Sequence, residues 1–237
     1  MNNKIYLALD FPTWKEAEKF LQVHQLEHIP VKVGMELFYR EGPALIEKLK
    51  EKGHPIFLDL KLHDIPTTVM RAMVNLASME VDIVNVHATG GSEMIKRAKE
   101  GLINGSSSSP NTKLIAVTVL TSMDKAVMNK ELRLSGEVEE QVVRLATLSK
   151  ESGADGVVCS VHEANAIKTA CGSSFLTVTP GIRLEDSKQN DQKRIATPHF
   201  AKINGADILV VGRSITKAIN PRQAYDQIIK EFEHGSK

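Results

Sequence analysis

The sequence predicts an α/β protein that folds as a single (β/α)8 barrel of the TIM type. Eight short β-rich runs recur along the chain with helical segments between them, and a closing helix follows the last run. Eight such units favour a closed parallel barrel, because open doubly wound sheets more often have about five or six strands. The length of 237 residues is close to the roughly 250 that these barrels use as one domain. We therefore expect one domain over residues 1–237.

The predicted strands are the eight short apolar runs. Their ranges are 5–10, 31–34, 56–61, 83–87, 114–120, 156–160, 175–179 and 207–212. In a barrel strand, alternate side chains face the interior and the others pack against the helices. Parity along each run therefore predicts which polar side chains point into the barrel.

Helices are predicted where apolar residues recur among charged ones. The clearest segments are 14–25, 36–51, 137–149 and 220–233. The second of these is expected to end at Gly53, since glycine is favoured just beyond a helix C-terminus. Ser135 has the character of an N-cap for the third segment, and Gly153 is expected to stop it.

Two stretches show the least regular pattern. Residues 105–110 form a polar loop between a helix and a strand, and we assign them no function. Residues 184–193 follow the seventh strand, so they lie on the face where barrels of this class carry their active sites. We expect this second stretch to form a lid.

Composition and charge exclude several classes of protein. The 30 basic and 29 acidic residues give a net charge of +1, which argues against a strongly basic nucleic-acid surface and against an acidic disordered tail. Cys159 and Cys171 are too few for a disulfide framework and lack the spacing of a metal site, so they fit a reducing compartment. The first residues lack the apolar core of a signal peptide, and no run reaches the roughly 18 apolar residues of a membrane span. We expect a cytoplasmic protein.

Ionisable side chains recur near the carboxyl ends of the first four predicted strands. They are Asp10, Lys32, Asp59, Lys61 and His87. Asp59 and Lys61 share a face with His63, and His87 shares a face with Asn85. A solvated strand end would explain any one of these residues equally well. Five of them at matched parity on consecutive strands favour a catalytic rim.

Lys61 stands between two carboxylates in the sequence. A lysine that forms a Schiff base must lose its proton, which desolvation or a cationic neighbour promotes. Asp59, two residues earlier, and Asp64, three residues later, act in the opposite sense, because carboxylates stabilise the ammonium and raise its pKa. The pattern therefore favours proton delivery to carbon over aldolase-like imine chemistry.

Glycine-containing segments follow the seventh and eighth predicted strands, at residues 179–183 and 211–214. Loops at these two places in a barrel often bind phosphate through backbone N–H groups and a helix N-terminus. Arg213 adds a charge-assisted donor for such a group. A solvated arginine at a helix start would explain Arg213 alone, but its position opposite the charged rim favours a phosphate site.

The segment 59–68, Asp-Leu-Lys-Leu-His-Asp-Ile-Pro-Thr-Thr, closely resembles the signature of the orotidine 5′-phosphate decarboxylase family. The resemblance covers nearly the whole chain, and its other segments are 9–10, 31–34, 86–88, 120–122, 179–183 and 211–215. The ten-residue motif is specific, whereas its Asp-x-Lys-x-x-Asp core also occurs in related sugar-phosphate decarboxylases and synthases. The length resembles that of the compact bacterial form.

The resemblance implies a carboxy-lyase that converts orotidine 5′-monophosphate to UMP, the last step of de novo pyrimidine synthesis, without a metal or organic cofactor. It implies that Lys61 protonates C6 of the pyrimidine. The alternating charge network implied by the resemblance consists of Lys32, Asp59, Lys61 and Asp64. Asp64 and Thr68 would reach the partner subunit's site in a homodimer, and no nucleic-acid or membrane partner is implied.

The resemblance also implies the substrate contacts. Asp10 and Lys32 would bind ribose hydroxyls, and Ser122 with its neighbour Thr121 would bind the pyrimidine edge. Gln192, Gly212 and Arg213 would bind the phosphate, and Arg183 would begin the lid that closes over it. Pro180 would also contact the substrate. His87 is interpreted as a supporting residue behind this set.

Two alternatives remain open on the sequence. A magnesium-dependent sugar-phosphate decarboxylase or synthase with the same core would need acidic ligands on neighbouring strands, where the fourth strand offers Asn85 and His87. A non-catalytic sensor of phosphate ligands, built on a barrel, would have no need for a buried lysine–aspartate network of high electrostatic cost.

Overall fold

A computed structural model describes residues 4–106, 111–184 and 196–234 of the chain. Eight parallel strands follow one another around a closed barrel in sequence order, and the first pairs with the eighth. The predicted (β/α)8 barrel is thereby confirmed. Among the described residues, no helix is long and apolar enough to cross a membrane.

The strands coincide with the eight predicted runs and differ from them mainly at their carboxyl ends. They are β1 Ile5–Ala8, β2 Val31–Gly34, β3 Ile56–Leu62, β4 Ile83–His87, β5 Lys113–Val117, β6 Gly156–Val158, β7 Leu176–Thr179 and β8 Ile208–Val211. The predicted fifth and sixth strands are too long, because the pairing between β5 and β6 ends at Val117 and Val158. The chain beyond these two residues forms loops at the carboxyl-terminal rim.

The helices surround the barrel. They are α1 Trp14–Val23, α2 Met35–Glu41, α3 Pro43–Glu51, α4 Pro66–Ser78, α5 Gly91–Gly105, α6 Val138–Glu151, α7 Val161–Cys171, α8 Pro198–Ile203, α9 Arg213–Thr216 and α10 Pro221–His234. The single helix predicted over 36–51 is wrong. Gly42 adopts a positive φ of 67° and Pro43 begins a new helix, so the chain breaks between α2 and α3.

The predicted cap of α6 is also wrong by two residues. Glu137, not Ser135, is the N-cap, and its backbone N–H donates to the Glu140 carboxylate at 3.1 Å. The reciprocal bond from the backbone N–H of Glu140 to the Glu137 side chain completes a capping box, which satisfies donors that an α-helix leaves open at its start. The predicted stop at Gly153 is confirmed by its positive φ of 91°.

The apolar interior is divided between two layers. Inside the barrel, Tyr6 and Phe57 meet edge to face with ring centroids 6.2 Å apart, among branched side chains from other strands. Outside it, residues of the opposite parity, such as Leu7 and Leu58, pack against the helices. Inward parity therefore continues from the apolar plug to the polar residues at the carboxyl ends of the strands.

Aspartates hold the amino-terminal ends of three strand pairs together. Each lies just before an even-numbered strand and accepts a hydrogen bond from a backbone N–H of the preceding strand. The pairs are Asp82 with Ile56 at 2.7 Å, Asp155 with Leu114 at 2.9 Å and Asp207 with Thr177 at 2.8 Å. These bonds help to fix the register at the end of the barrel opposite the predicted rim.

Candidate active site

A cavity of about 250 Å³ opens at the carboxyl ends of the strands. Most of the residues predicted for the site line it. Those residues are Asp10, Lys32, Asp59, Lys61, Thr121, Pro180, Arg183, Gly212 and Arg213. The apolar part of the wall includes Val117, Val158 and Val210, which belong to three different strands. The cavity thus joins a charged side to an apolar side.

The charged side is a row of alternating charges that runs from the segment after β1 across β2 to β3. Lys32 Nζ lies 3.4 Å from Asp10 Oδ1 and 3.1 Å from Asp59 Oδ2. Lys61 Nζ donates to the other oxygen of Asp59, Oδ1, at 2.6 Å. Asp59 is therefore bound by an ammonium group at each oxygen, which makes it the centre of the row.

Burial and neighbouring charges shift the pKa values of Lys32 and Asp59 in opposite directions, and the neighbouring charges together have the larger effect. Burial acts to lower the pKa of Lys32, but the carboxylates of Asp59 and Asp10 outweigh it and raise that pKa above its ordinary value. Burial acts to raise the pKa of Asp59, but Lys32, Lys61 and hydrogen bonds from Lys61 and Asn85 hold it below the usual range. Both groups are charged at neutral pH.

Lys61 has an unusual backbone conformation. Its φ is +52°, in the left-handed region that residues with a side chain seldom occupy. The pairing of β3 with β4 shifts here, since Leu58 faces Val84 and Leu62 faces Val86. Three residues of β3 thus stand opposite one residue of β4, which is a bulge in β3. Simple alternation correctly predicts that Asp59 and Lys61 face the cavity, but it does not predict the bulge.

Asn85 occupies the space beside this bulge. Its Nδ2 donates to Asp59 Oδ1 at 2.7 Å, and its Oδ1 accepts the backbone N–H of Lys61 at 2.7 Å. Parity along β4 predicts the inward position of Asn85, but the sequence predicts no role for it. An uncharged amide offers no electrostatic signal, and its inward parity was the only feature that could have identified it.

Two histidines lie next to the row. The rings of His63 and His87 are 5.5 Å apart, and His63 is exposed while His87 is half-buried. Burial, followed by the nearby His63 and Lys61, lowers the pKa of His87. A neutral imidazole behind the row agrees with the supporting position expected for His87.

The loops after β7 and β8 contact each other at the opposite side of the cavity. The buried Arg183 side chain donates to Ile182 O at 2.9 Å and to Ser214 Oγ at 3.4 Å. Arg213 is exposed at the rim, immediately after Gly212. Ile182 and Ala196 form a bridge between the segments on either side of the predicted lid at 184–193. Residues 185–193 of that lid lie outside the described residues.

The other predicted site residues that the structure describes do not line the cavity. Asp64 is exposed and accepts the backbone N–H of Ile65 at 2.6 Å, and within one chain it is Asp59 rather than Asp64 that pairs with Lys61. Thr68 is exposed in the first turn of α4, and Ser122 is exposed beside Thr121. Gln192 lies outside the described residues.

Comparison with known proteins identifies the family of this chain. Residues 3–228 match the model of the orotidine 5′-phosphate decarboxylase / HUMPS family. The chain belongs to this family. It is 55% identical over 234 residues to the orotidine 5′-phosphate decarboxylase of Bacillus cytotoxicus and 54% identical to that of a Bacillus cereus strain, with 98% of each chain covered in both cases.

Two solved structures share the fold of this chain. The orotidine 5′-phosphate decarboxylase of Lactobacillus acidophilus superimposes with a TM-score of 0.87 at 44% identity, covering 98% of this chain and 99% of that one. An uncharacterised conserved protein of Geobacillus kaustophilus gives a TM-score of 0.85 at 46% identity, with 97% and 100% covered. The alternative of a sugar-phosphate decarboxylase or synthase is not favoured, since relatives that match nearly the full length carry the orotidine 5′-phosphate decarboxylase name.

Proposed function

We propose that this chain converts orotidine 5′-monophosphate to UMP and carbon dioxide, the last step of de novo pyrimidine synthesis, with Lys61 as the acid that protonates C6. The observation that carries the assignment is the row Asp10–Lys32–Asp59–Lys61 along one wall of the cavity. Family membership and full-length relatives named orotidine 5′-phosphate decarboxylase support this reaction, and the row supplies charges suited to it. The whole chain acts as one catalytic domain.

Lys61 performs two tasks in this reaction. Loss of carbon dioxide leaves a carbanion at C6 that the ring delocalises poorly, so a fixed positive charge beside C6 lowers the barrier. The Lys61 ammonium supplies that charge and then transfers a proton to C6. Its 2.6 Å contact with Asp59 holds it charged and in one place before the substrate reacts.

Asp59 contributes through its negative charge. Two ammonium groups keep Asp59 ionised although it is buried, so a substrate carboxylate placed next to it is repelled. This repulsion disappears as carbon dioxide leaves, which favours the transition state over the bound substrate. Lys32 balances the charge of Asp59 and, together with Asp10, binds the ribose hydroxyls.

The other contacts bind the two ends of the nucleotide. Thr121 and Ser122 recognise the pyrimidine edge, and the phosphate is bound by a group of residues from the loops after β7 and β8. That group is Gln192, Gly212 and Arg213, while Arg183 begins the lid over the phosphate and Pro180 also contacts the substrate. Binding energy from the phosphate, which takes no part in the bond changes, supports closure of the lid and the strain at Asp59.

The active sites are shared within a homodimer. Asp64, just before α4, and Thr68, in its first turn, are both exposed, where they can reach a second subunit. The neighbouring Ile65 has 68% of its surface exposed, which suits a position in an interface. Asp64 then extends the alternating row of the partner subunit beyond Lys61.

The enzyme works without a metal or organic cofactor in the cytoplasm. The inward positions of β4 next to the row are Asn85 and His87, which are not the acidic set that magnesium prefers. Both cysteines are buried thiols, as suits a reducing compartment.

The test follows the ultraviolet absorbance of orotidine 5′-monophosphate with purified protein in buffer that contains EDTA and no added metal. Full turnover to UMP is expected, with the same rate after magnesium is restored. A magnesium requirement, or no turnover of this substrate alongside turnover of a sugar phosphate, would assign the chain to the related sugar-phosphate enzymes. Binding of UMP without any turnover would assign it to the sensor class.

A further inference from the structure

The Asp59–Lys61 pair is held by a third side chain that does not line the cavity with it. Asn85 lies on β4 with 1% of its surface exposed, and it is not among the described residues that line the cavity. Its two hydrogen bonds, each 2.7 Å long, connect the Asp59 carboxylate to the Lys61 backbone. Asn85 therefore contacts both charged residues from behind.

The amide group is chemically matched to this position. The Lys61 N–H requires an acceptor, and the ionised Asp59 requires a donor, so the Asn85 side chain satisfies both in only one orientation. Aspartate would present an oxygen to a carboxylate, and leucine of similar size would satisfy neither partner. This position therefore requires a neutral side chain that can both donate and accept a hydrogen bond.

Asn85 also compensates for the conformation of the bulge. A positive φ at a lysine is unfavourable and persists only where surrounding contacts enforce it. The bond from Lys61 N–H to Asn85 is made where regular pairing of β3 with β4 is interrupted. Without this acceptor, the backbone of Lys61 has a more favourable extended conformation available to it, which would point its side chain elsewhere.

The carboxylate of Asp59 is oriented in the same way. Oδ1 accepts from both Lys61 Nζ and Asn85 Nδ2, at 2.6 and 2.7 Å, while Oδ2 faces Lys32 at 3.1 Å. The Asn85 bond fixes which oxygen faces which lysine. The amide thus sets the position of the proton donor relative to the charge that opposes the substrate carboxylate.

We propose that Asn85 is a positioning residue for decarboxylation: it holds the Lys61 backbone and the Asp59 carboxylate in the arrangement from which Lys61 delivers its proton. This inference rests on the proposed role of Lys61. It requires no contact between Asn85 and the substrate, so its removal affects the chemical step more than binding.

The first test compares Asn85→Ala with Thr112→Val, a control that removes one buried hydrogen bond, from Thr112 Oγ1 to Val81 O, outside the cavity. Asn85→Ala is expected to lower kcat about 100-fold, as small misplacements of reacting groups do. Its KM and its dissociation constant for UMP are expected to stay within about threefold of wild type. The control is expected to lower the thermal midpoint without changing kcat per folded molecule.

The second test uses Asn85→Asp, which keeps the size of the side chain and the acceptor for Lys61. Two carboxylates in contact take up a shared proton more readily than an isolated carboxylate takes up a proton of its own. When the side chain at position 85 of this variant is protonated, it can again donate a hydrogen bond to Asp59. The kcat ratio of this variant to wild type is therefore expected to rise as the pH is lowered. Asp10, Lys32, Lys61, His63 and His87 lie near this pair in both proteins, so wild type measured over the same pH range is the reference for the ratio.

A kcat within about threefold of wild type for folded Asn85→Ala would overturn the inference. Equal losses in kcat and UMP affinity, or a ratio for Asn85→Asp that does not change with pH, would reduce Asn85 to a structural residue. Lys61→Ala is measured in the same assay. If that variant turns over normally, the proposed role of Lys61 has failed, and this outcome is distinct from a failure at Asn85.

Discussion

Asp59 is an ionised carboxylate with only 8% of its surface exposed, and each of its oxygens faces a lysine ammonium. Burial of a single charge is unfavourable, so the pairing is what allows the charge to persist in the cavity. Because its pKa in the folded protein is held below the ordinary value, ionisation of Asp59 stabilises the fold at neutral pH. That contribution is lost only as the pH falls through the folded pKa.

Lys61→Ala is expected to fold and to bind UMP while losing decarboxylation by more than about 1,000-fold, because both the stabiliser of the carbanion and its proton source are removed. The lysine is on the cavity side of β3, so the packing of Leu58 and Leu60 against the helices is retained. Thermal unfolding, UMP binding and single-turnover decarboxylation on one preparation check this. Normal turnover by the folded variant would contradict the mechanism.

Arg213→Ala is expected to weaken the use of the substrate phosphate. A charge-assisted hydrogen bond contributes about 1.5–3 kcal/mol, which corresponds to a loss of about 10- to 150-fold in kcat/KM on orotidine 5′-monophosphate. Activity on the nucleoside without phosphate is expected to change little, and this comparison is the control. Equal losses on the two substrates would remove Arg213 from the phosphate site.

At the scale of elements, features that arise from periodicity were predictable from the sequence, and features that depend on local backbone geometry were not. The strand positions were predictable because short apolar runs and their parity are direct consequences of a barrel. The break between α2 and α3 was missed, because Leu37 and Leu45 continue the apolar pattern across Gly42. The bulge at Lys61 was missed because regular strand parity already places Asp59 and Lys61 on the same face, so the sequence pattern gives no sign of an interruption.

The charged part of the site was also predictable, whereas Asn85 was not. Lysine and aspartate inside a strand are conspicuous, but a buried amide has no such signature until its partners are known. Ser122 was paired with Thr121 through family resemblance, and the structure places only Thr121 in the cavity wall. The exposure of Asp64 likewise depends on where the folded chain places this residue, which the sequence pattern does not predict.

The contact between α4 and α5 depends on a glycine. A Cβ at Gly101 would lie 2.3 Å from Met70 O and 2.9 Å from Met73 Cβ. Gly101→Ala is therefore expected to destabilise the fold by about 1–3 kcal/mol through overpacking, although alanine is favoured in helices by about 1 kcal/mol. Urea unfolding measures the change, and Asn104→Ala, exposed in the same helix, is the control for helix propensity. A stabilised Gly101→Ala would mean that the two helices can separate at little cost.

At the scale of the whole molecule, the two ends of the barrel have different roles: bonds at the amino-terminal ends of the strands stabilise the fold, and the carboxyl-terminal rim carries the reactive groups. The aspartates before β4, β6 and β8 secure the amino-terminal ends of the strands, and the Tyr6–Phe57 pair occupies the interior. The rigid plug between the two ends supports a row of charges at the carboxyl-terminal rim. Asp64 stands on that rim outside the row of its own chain.

This position of Asp64 makes subunit mixing a test of the complete active site. We expect Lys61→Ala and Asp64→Ala to be inactive alone, since each site of either homodimer lacks one residue. In a mixed dimer with shared sites, one site lacks both residues and the other combines an intact Lys61 with the partner subunit's intact Asp64. Random mixing at equal amounts is then expected to restore about a quarter of the wild-type activity, because half of the dimers are mixed and half of their sites are complete.

The control for this experiment is a mixture of Lys61→Ala with Asp59→Ala. Both residues belong to the same chain's row, so no site in the mixed dimer regains the pair. Formation of mixed dimers is verified with two affinity tags on the subunits. If tagged heterodimers of Lys61→Ala and Asp64→Ala remain inactive, the two residues do not act in one shared site. Asp64 would then act within its own subunit, which would require the segment after β3 to move toward Lys61 when substrate binds.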